Sequence, residues 1–565
     1  MHREFISKFN KPKAVLSVIL CVGIFMLFYA FSIADRLYLP LEKDTASPVP
    51  DSVLFTSAPI LSPEQALQTF QLEEGFSLEL VASEPLIEDP VAMTFDSRGR
   101  IWVVEMQSYM LDLDGNGEEK KISRIVILED EDSDGKMDRS KVFLDSLAMP
   151  RAIALTEDGV LYAEPPNLWF VENIEDSPGK KTLIDSTYAV DGNAEHQPNG
   201  LTRGMDGWYY NAKSKFRYKR VDGTWIKEET EFRGQWGMSM DNFGRLYYNS
   251  NSNQLRGDLV PPNRLGRNPN FDASLGINVQ LADDQQVYPI RPTPGINRGY
   301  REDMITHDNK LTKFTAACGP VIYRGQRYPQ AFFENAFVCE PSGNLIKRNI
   351  LREEGTTVVA EQAYENREFL ASTDERFRPV SLYNGPDGYL YLVDMYRGVI
   401  QHKTYLTDYL RDQITSRGLE KPLGMGRIYR IKYEQGWWDK FKEKFTHTEP
   451  SLAEASDREL LAYLSHPNGW WRDNAQRLLI ERNNTAIVPG LFKIIQKEKP
   501  QHYEKIHALW TLEGLGIYTP EVIQWAVQSK DPKVVATALR VAERNRGSDK
   551  AGEILNIFAA VAGNA

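Results

Sequence analysis

The chain has 565 residues, 42% of them hydrophobic and 11% aromatic, enough for large cores and too many residues for one ordinary domain. Its formal net charge of −11 leaves no basic balance of the kind a nucleic-acid binder uses, so nucleic acid is excluded as an expected partner. Cys21, Cys318 and Cys339 are too few for a disulfide framework; Cys318 and Cys339 make one pair at most, and no C-x-x-C-H run is present to attach a c-type haem.

Arg3, Lys8, Lys11 and Lys13 precede an apolar run, 14–34, about as long as a bilayer span. The basic flank stays cytoplasmic, which predicts a chain whose bulk is exported, periplasmic or otherwise extracytoplasmic, and held at the cell membrane. Ser32-Ile33-Ala34 also resembles a signal-peptidase site, so residues 1–34 read as an uncleaved membrane anchor, preferred for the length of the run, or as a signal segment. Residues 35–60 carry Pro, Ser, Asp and Thr and read as a linker.

From there one pattern recurs: an apolar strand, a turn with glycine, a second strand rich in aromatics. It appears as "VAMTFDSRGRIWVVE", "RAIALTEDGVLYAE", "NGLTRGMDGWYYNA", "WGMSMDNFGRLYYNS" and "RPVSLYNGPDGYLYLVD", with a poorer copy in "AFVCEPSGNLIKR". The glycines at 99, 159, 207, 244, 343 and 388 are expected to supply the positive φ of a tight hairpin. Repeats that cannot close a core alone must stack on neighbours, and six such units predict a six-bladed β-propeller over 61–433. The doubled spacing between Gly244 and Gly343 predicts a long insertion over 251–312.

Within the first repeat, "EDEDSDGKMD" places Asp130, Asp132, Asp134 and Asp138 at the D-x-D-x-D-G spacing of a calcium loop, with Gly135 at the sharp turn. Lys141 stands where an EF-hand has its glutamate, so the loop is an incomplete one, and a solvated acidic hairpin is the alternative. "DLDGNGEE", with Asp112, Asp114 and Asn116, is a shorter relative. In the third repeat Glu195 and His196 stand just before Pro198, which biases Gln197 to an extended conformation. Residues that precede an inner strand project at the mouth of a propeller channel, so His196 reads as a general base there or as a turn histidine.

After residue 434 the grammar changes. "SDRELLAYLSHP" opens with a capping box from Ser456 to Glu459, and helix-length amphipathic segments follow, punctuated by Pro and Gly. Paired short helices predict a HEAT/ARM-like α-helical solenoid over 434–565. Its last segment, "AGEILNIFAAVAGNA", has no polar cap, so the expectation is either a truncated chain or relatives that continue into a further module.

These blades, in this order, resemble the soluble quinoprotein glucose/sorbosone dehydrogenases, and the sequence of modules resembles membrane-bound dehydrogenase-like proteins of planctomycetes and related bacteria. The resemblance covers about residues 70–433 and extends weakly through the helices. It implies that "EHQPNGLTRGMDGWYY" holds the catalytic base His196 beside Glu195. It implies that Arg376 and Arg378 of "ERFRPV", with Arg233 of "FRGQWGM", hold the carboxylates of pyrroloquinoline quinone. The sequence departs from that pattern at Gly234, where the family has Asn, and near Ser342, where it has Lys. "NSNSNQ", Asn249 to Gln254, corresponds to a family loop that holds a calcium ion near the axis. The activity so implied is oxidation of a sugar or other alcohol, with electrons passed to a separate cytochrome c. Two alternatives stay open: a non-catalytic propeller and solenoid that bind a glycan or protein, and a calcium-dependent lactonase-like hydrolase.

Overall fold

Six antiparallel sheets stand in chain order round one axis in the computed structural model. The structure describes residues 58–265, 268, 270, 275–301, 303–434, 451–497, 502–517, 519–543 and 551–563. The apolar run 14–34 lies outside them; among the described residues no helix is long and apolar enough to cross a membrane. The first strands of the blades are Pro90–Phe95, Ala152–Leu155, Asn199–Arg203, Ser239–Met240, Cys318–Ile322 and Pro379–Asn384, and the last packs against the first, which closes the ring. The sixth blade takes its outer strand from the other end of the propeller. Phe76–Ser83 pairs antiparallel with Arg427–Tyr433, and Phe76 packs its ring among Tyr328, Phe332, Phe369 and Tyr433.

Turn chemistry explains why the hairpin sequence recurs. Asp96, Asp206, Asp241 and Asp387 each accept a backbone N–H of their own turn on Oδ1. Oδ2 of each accepts from an aromatic of the next strand: Trp102 Nε1 at 3.1 Å and the hydroxyls of Tyr210, Tyr247 and Tyr391 at 2.9, 3.2 and 3.0 Å. The aromatic thus buries its ring between blades while its polar end is satisfied. Gly99, Gly207, Gly244 and Gly388 take the expected positive φ. Gly159 and Gly343 do not; a Cβ on Gly159 would instead meet Phe170 at 2.4 Å, so close approach of the third strand fixes that glycine.

The poorer repeat is a different hairpin. "AFVCEPSGNLIKR" joins the second and third strands of its blade, Ala336–Glu340 and Leu345–Glu354. That blade's first strand, Cys318–Ile322, is masked in the sequence by Gly319, at φ +52°, and Pro320. Cys318 and Cys339 lie opposite each other in the pairing register, buried and unbonded. The insertion runs from the third strand of the fourth blade, Asn253–Gly257, to Cys318 and includes that blade's short outer strand Val279–Gln280.

The C-terminal helices pair as Asp457–Tyr463 with Gly469–Arg482, Val488–Gln496 with His502–Gly514, and Pro520–Val527 with Pro532–Glu543, and the second helices stack on one another. The Ser456–Glu459 capping box is formed. These helices sit on the turn side of the propeller and touch every blade. Leu452, Glu481, Gln476, Arg540 and Trp471 bond the turns at Ser97, Glu157, Met205, Phe243 and Pro386, and Asp473 takes a forked bond from the buried Arg324 at 2.6 and 2.9 Å. The propeller and helices form one compact unit, Leu54–Ala565, closed on the helical side.

Candidate functional site

Opposite the helices, the segments that enter the first strands surround a mouth pocket of about 110 Å³. Its walls are mostly apolar: Val91, Met106, Trp236, Val380, Met395 and Ile400. Gln235, Asn251, Thr315 and Gln401 add neutral polar groups, and Glu195 is its one carboxylate among the described residues. The turn before Glu195 is set by Gly192 at φ +90°, where a Cβ would meet the His196 carbonyl at 2.4 Å. Asn193 then caps the turn, accepting the Glu195 N–H at 3.1 Å, and Gln235 Nε2 holds the Glu195 carbonyl at 2.8 Å.

The Glu195 carboxylate receives Gln401 Nε2 at 3.0 and 3.1 Å and the backbone N–H of His402. Tyr109 stands 3.5 Å away, but its hydroxyl makes the shorter bond, 2.7 Å, to the Ile400 carbonyl. Burial pushes the Glu195 carboxyl up to about 7, against the opposing pull of His402, Tyr109 and Gln401. A carboxyl so placed is divided between its two forms near neutral pH, which suits a group that takes up and returns a proton.

The side chains expected to meet at one pocket do not all reach it. His196 is next to Glu195 in the chain, but its ring lies beside Tyr405, centroids 5.0 Å apart, outside the pocket lining. Burial, with Lys213 and His402 adding to it, holds His196 below its ordinary value, so the ring is neutral at pH 7. Arg233 is turned outward to Asp258, Glu231 and Thr230. Arg376 donates to the Ala58 and Gly418 carbonyls at 3.1 and 3.2 Å. Arg378 is wholly buried and donates to three carbonyls, of Arg397, Pro341 and Gly398, at 2.9, 2.7 and 2.9 Å. Glu375 is shared by Arg291 and Arg417 at 2.8 and 2.6 Å. Each guanidinium has found acceptors inside the protein, and none lines the mouth. Arg378 bears on the site only by fixing the Pro341 and Gly398 loops at its rim.

Pyrroloquinoline quinone carries three carboxylates, and the pocket offers them no Lys, Arg or His among the described residues. An unpaired carboxylate taken out of water costs several kcal/mol, roughly, for each ion. The donor set present does not fit that group. Nor does the Asn249–Gln254 loop assemble the six to eight oxygens calcium takes: only Asn251 reaches the mouth, Asn249 is buried with its amide unpartnered, and Gln254 is bonded to Asp284 and Asn349.

Among the acidic-loop residues, Asp130, Asp132 and Asp138 bring one carboxylate oxygen each within 4.8 Å of the others. Asp134 is a correction to the expected set. Its carboxylate turns back to accept the Lys136 N–H at 2.7 Å, while Asp130 accepts the N–H groups of Asp134 and Gly135 at 3.2 and 2.8 Å. The loop tops the hairpin between Ser123–Glu129 and Arg139–Leu147, on the blade's outer edge and away from the mouth.

Sequence reasoning passed over Gln401, His402, Tyr109 and Glu118. His402 Nε2 lies 3.0 Å from Glu118, so among the described propeller residues the histidine that meets a carboxylate through its ring is this one, and the partner comes from a distant loop. Chain adjacency pointed to Glu195 and His196; only the ring closure of the propeller joins residues 109, 118, 195 and 402.

A family described as a domain of unknown function (DUF7133) matches residues 62–435, from just before the closing strand to the end of the last blade. The chain belongs to that family. No match occurs among curated proteins. Solved structures similar to this DUF7133 chain include an oxidoreductase (glucose dehydrogenase) from Thermus thermophilus, 12% identical over 63% of this chain and 99% of that one, with a TM-score of 0.34. A soluble aldose sugar dehydrogenase from Escherichia coli, in its apo form, is 10% identical over 63% and 99%, with a TM-score of 0.33. A streptogramin B lyase is 13% identical over 65% and 99%, with a TM-score of 0.30.

Proposed function

We propose that the mouth pocket of this DUF7133 propeller takes a small uncharged molecule bearing hydroxyl groups, a sugar or other alcohol, and that Glu195 accepts a hydroxyl proton when that molecule reacts. The observation that carries this is a single carboxyl, held near 7 by burial, in an apolar pocket ringed by neutral amides. Amides of Gln401, Gln235 and Asn251 suit hydroxyls and give no charge to an anion. The sequence resemblance to sugar dehydrogenases supports oxidation as the reaction. Oxidation removes a carbon-bound hydride as well as the hydroxyl proton, so the reaction would need a separate two-electron acceptor brought to the pocket, from which electrons could pass one at a time to a cytochrome c; the chain carries no haem motif of its own. The basic flank and apolar run 14–34 support export and anchoring at the cell membrane, and the paired helices support a HEAT-like solenoid.

The test is turnover of a panel of sugars and alcohols with an artificial electron acceptor, with and without added quinone. Glu195→Gln is expected to lower turnover by roughly 10² to 10⁴ and to spare ligand binding. Loss of turnover in His196→Ala with Glu195→Gln fully active would return the role of base to His196. Binding without turnover in the native protein would leave a carbohydrate-binding propeller.

A second proposal is a structural calcium ion held by Asp130, Asp132 and Asp138. Three carboxylates within 4.8 Å repel one another unless a cation lies between them. Calcium is expected to raise the melting temperature and a chelator to lower it, and Asp132→Ala to remove the response; melting indifferent to both additions would end the proposal.

A further inference from the structure

The fifth blade sets two cysteines face to face. Cys318 opens its first strand, Cys318–Ile322, and Cys339 stands opposite in the second, Ala336–Glu340. Directly opposed residues of an antiparallel pair have Cα atoms about 4.5–5.5 Å apart, inside the roughly 4.4–6.8 Å that a disulfide spans. Both side chains leave the sheet on the same face, since they pack in one apolar cluster with Phe337, Phe377 and Leu382. Cys318 Sγ turns to the Pro379 carbonyl, 3.6 Å away on the first strand of the sixth blade. Neither sulfur is bonded to the other.

The surroundings give the pair a direction. Cys318 lines the mouth pocket and is 7% exposed, while Cys339 is sealed at 0%. A small reagent entering the mouth meets Cys318 first, and Cys339 is reached only through it. The pairing register slips between Cys318 and Val321, where Gly319 takes φ +52°. Such a bulge leaves a residue outside the ladder, so Cys318 can shift toward its partner without unzipping Val321 and Ile322. Burial pushes both thiols well up from their ordinary value, so the reactive thiolate is scarce at neutral pH and grows as pH rises.

We propose that Cys318 and Cys339 are a redox pair in the wall of the mouth, closed to a disulfide by a small two-electron oxidant such as hydrogen peroxide. The Cys318 thiolate attacks one peroxide oxygen, the O–O bond breaks and hydroxide leaves, so Cys318 becomes a sulfenic acid. The Cys339 sulfur then forms the S–S bond and displaces the sulfenic oxygen as water. In sum the two thiols lose two protons and two electrons, and the peroxide becomes two waters. The new bond draws Cys318 off the Pro379 carbonyl and staples the first two strands of the blade beside the mouth. It is independent of the reading of Glu195.

The test is peptide mapping of the full chain after hydrogen peroxide at pH 7 and pH 8.5, with the peroxide removed by catalase and the chain then unfolded in N-ethylmaleimide. Trypsin parts the two cysteines into "FTAACGPVIYR", 314–324, and "YPQAFFENAFVCEPSGNLIK", 328–347, and Cys21 lies in neither. The expected product is these two peptides joined, lighter by two hydrogens, formed faster at pH 8.5 and separated by dithiothreitol. Closing the loop between the cysteines is expected to raise the melting temperature by about 4 °C, and reduction to reverse the rise. Cys339→Ser is expected to stop at the Cys318 sulfenic acid, trapped by dimedone, with no joined peptide and no rise in melting. Peroxide that oxidises Cys318 alone in the native chain would overturn the proposal. So would both cysteines being recovered as N-ethylmaleimide adducts at either pH.

Discussion

Replacing Glu195 with Gln should change how stability depends on pH, by an amount the pocket sets. The folded carboxyl titrates at about 7 and an ordinary glutamate at 4.5, with burial the leading cause. The folded state therefore holds this proton more tightly than the unfolded chain does. The contribution is fully present below the unfolded value and is lost as pH rises through about 7. A separation of about 2.5 pH units amounts to roughly 3 kcal/mol as an upper figure. A propeller of about 370 residues gains about 0.8 kcal/mol per kelvin of unfolding entropy, so the effect is roughly 4 °C in melting temperature. Glu105, Glu340, Glu368 and Asp394 are also pushed up to about 7 and give the native protein a general decline with pH, but both proteins carry them. Thermal melts at pH 5 and pH 8.5 isolate Glu195 as a difference of differences: about 2.5 kcal/mol of the effect lies between these two pH values, so Glu195→Gln should gain on the native protein by about 3 °C on going to pH 8.5. The same pH dependence in both proteins would refute the placement of an ionisable carboxyl in an apolar pocket.

Removing residues 1–57 should leave the propeller folded, whereas removal through Ser83 takes the outer strand from the sixth blade and should unfold it; circular dichroism of the two truncations decides. Gly192→Ala forces a Cβ into the His196 carbonyl at a left-handed φ, and should cost roughly 1–3 kcal/mol and cut turnover by displacing Glu195, measured by melting and assay together. Acid should loosen the helices first. Burial holds His507 down to about 3 and His466 to about 4, so both are neutral in the fold and take up protons on unfolding. Their contribution is full above the ordinary value of 6.5 and is lost as pH falls below it, by roughly 2 kcal/mol each at pH 5. His507→Leu should remove part of that acid sensitivity in hydrogen exchange of His502–Gly514.

The blades were legible because four of them obey the same local rule, a turn acid that fixes its own backbone and the aromatic of the next strand. Where local chemistry departs from the rule, the reading slipped: Gly319 and Pro320 hid the first strand of the fifth blade, and a second hairpin stood in for it. The closing strand Phe76–Ser83 was not legible, since its partner lies some 350 residues away and no local signal marks it. The site was half legible. Glu195 drew notice through its neighbour, yet the residues that shape its carboxyl, Gln401, His402 and Tyr109, come from chain segments far apart. The arginines misled for a reason that sequence cannot show. A guanidinium reads as a ligand for anions, but backbone carbonyls satisfy it equally, and Arg378 has three of them.

The separation of Glu195 from Arg151 determines how the mouth carboxyl titrates. Arg151 donates to the carbonyl of Ala194, one residue before Glu195, and not to the carboxylate itself. Had the guanidinium paired with that carboxylate, the acid would be held well below the ordinary range and would be a poor proton acceptor at neutral pH. Had Glu195 been absent from the mouth, nothing there would titrate near 7 among its lining carboxylates. The peptide between them leaves the acid with the neutral donors of Gln401 and the His402 N–H, and the cation with a backbone carbonyl, so burial and not an ion pair decides how Glu195 titrates.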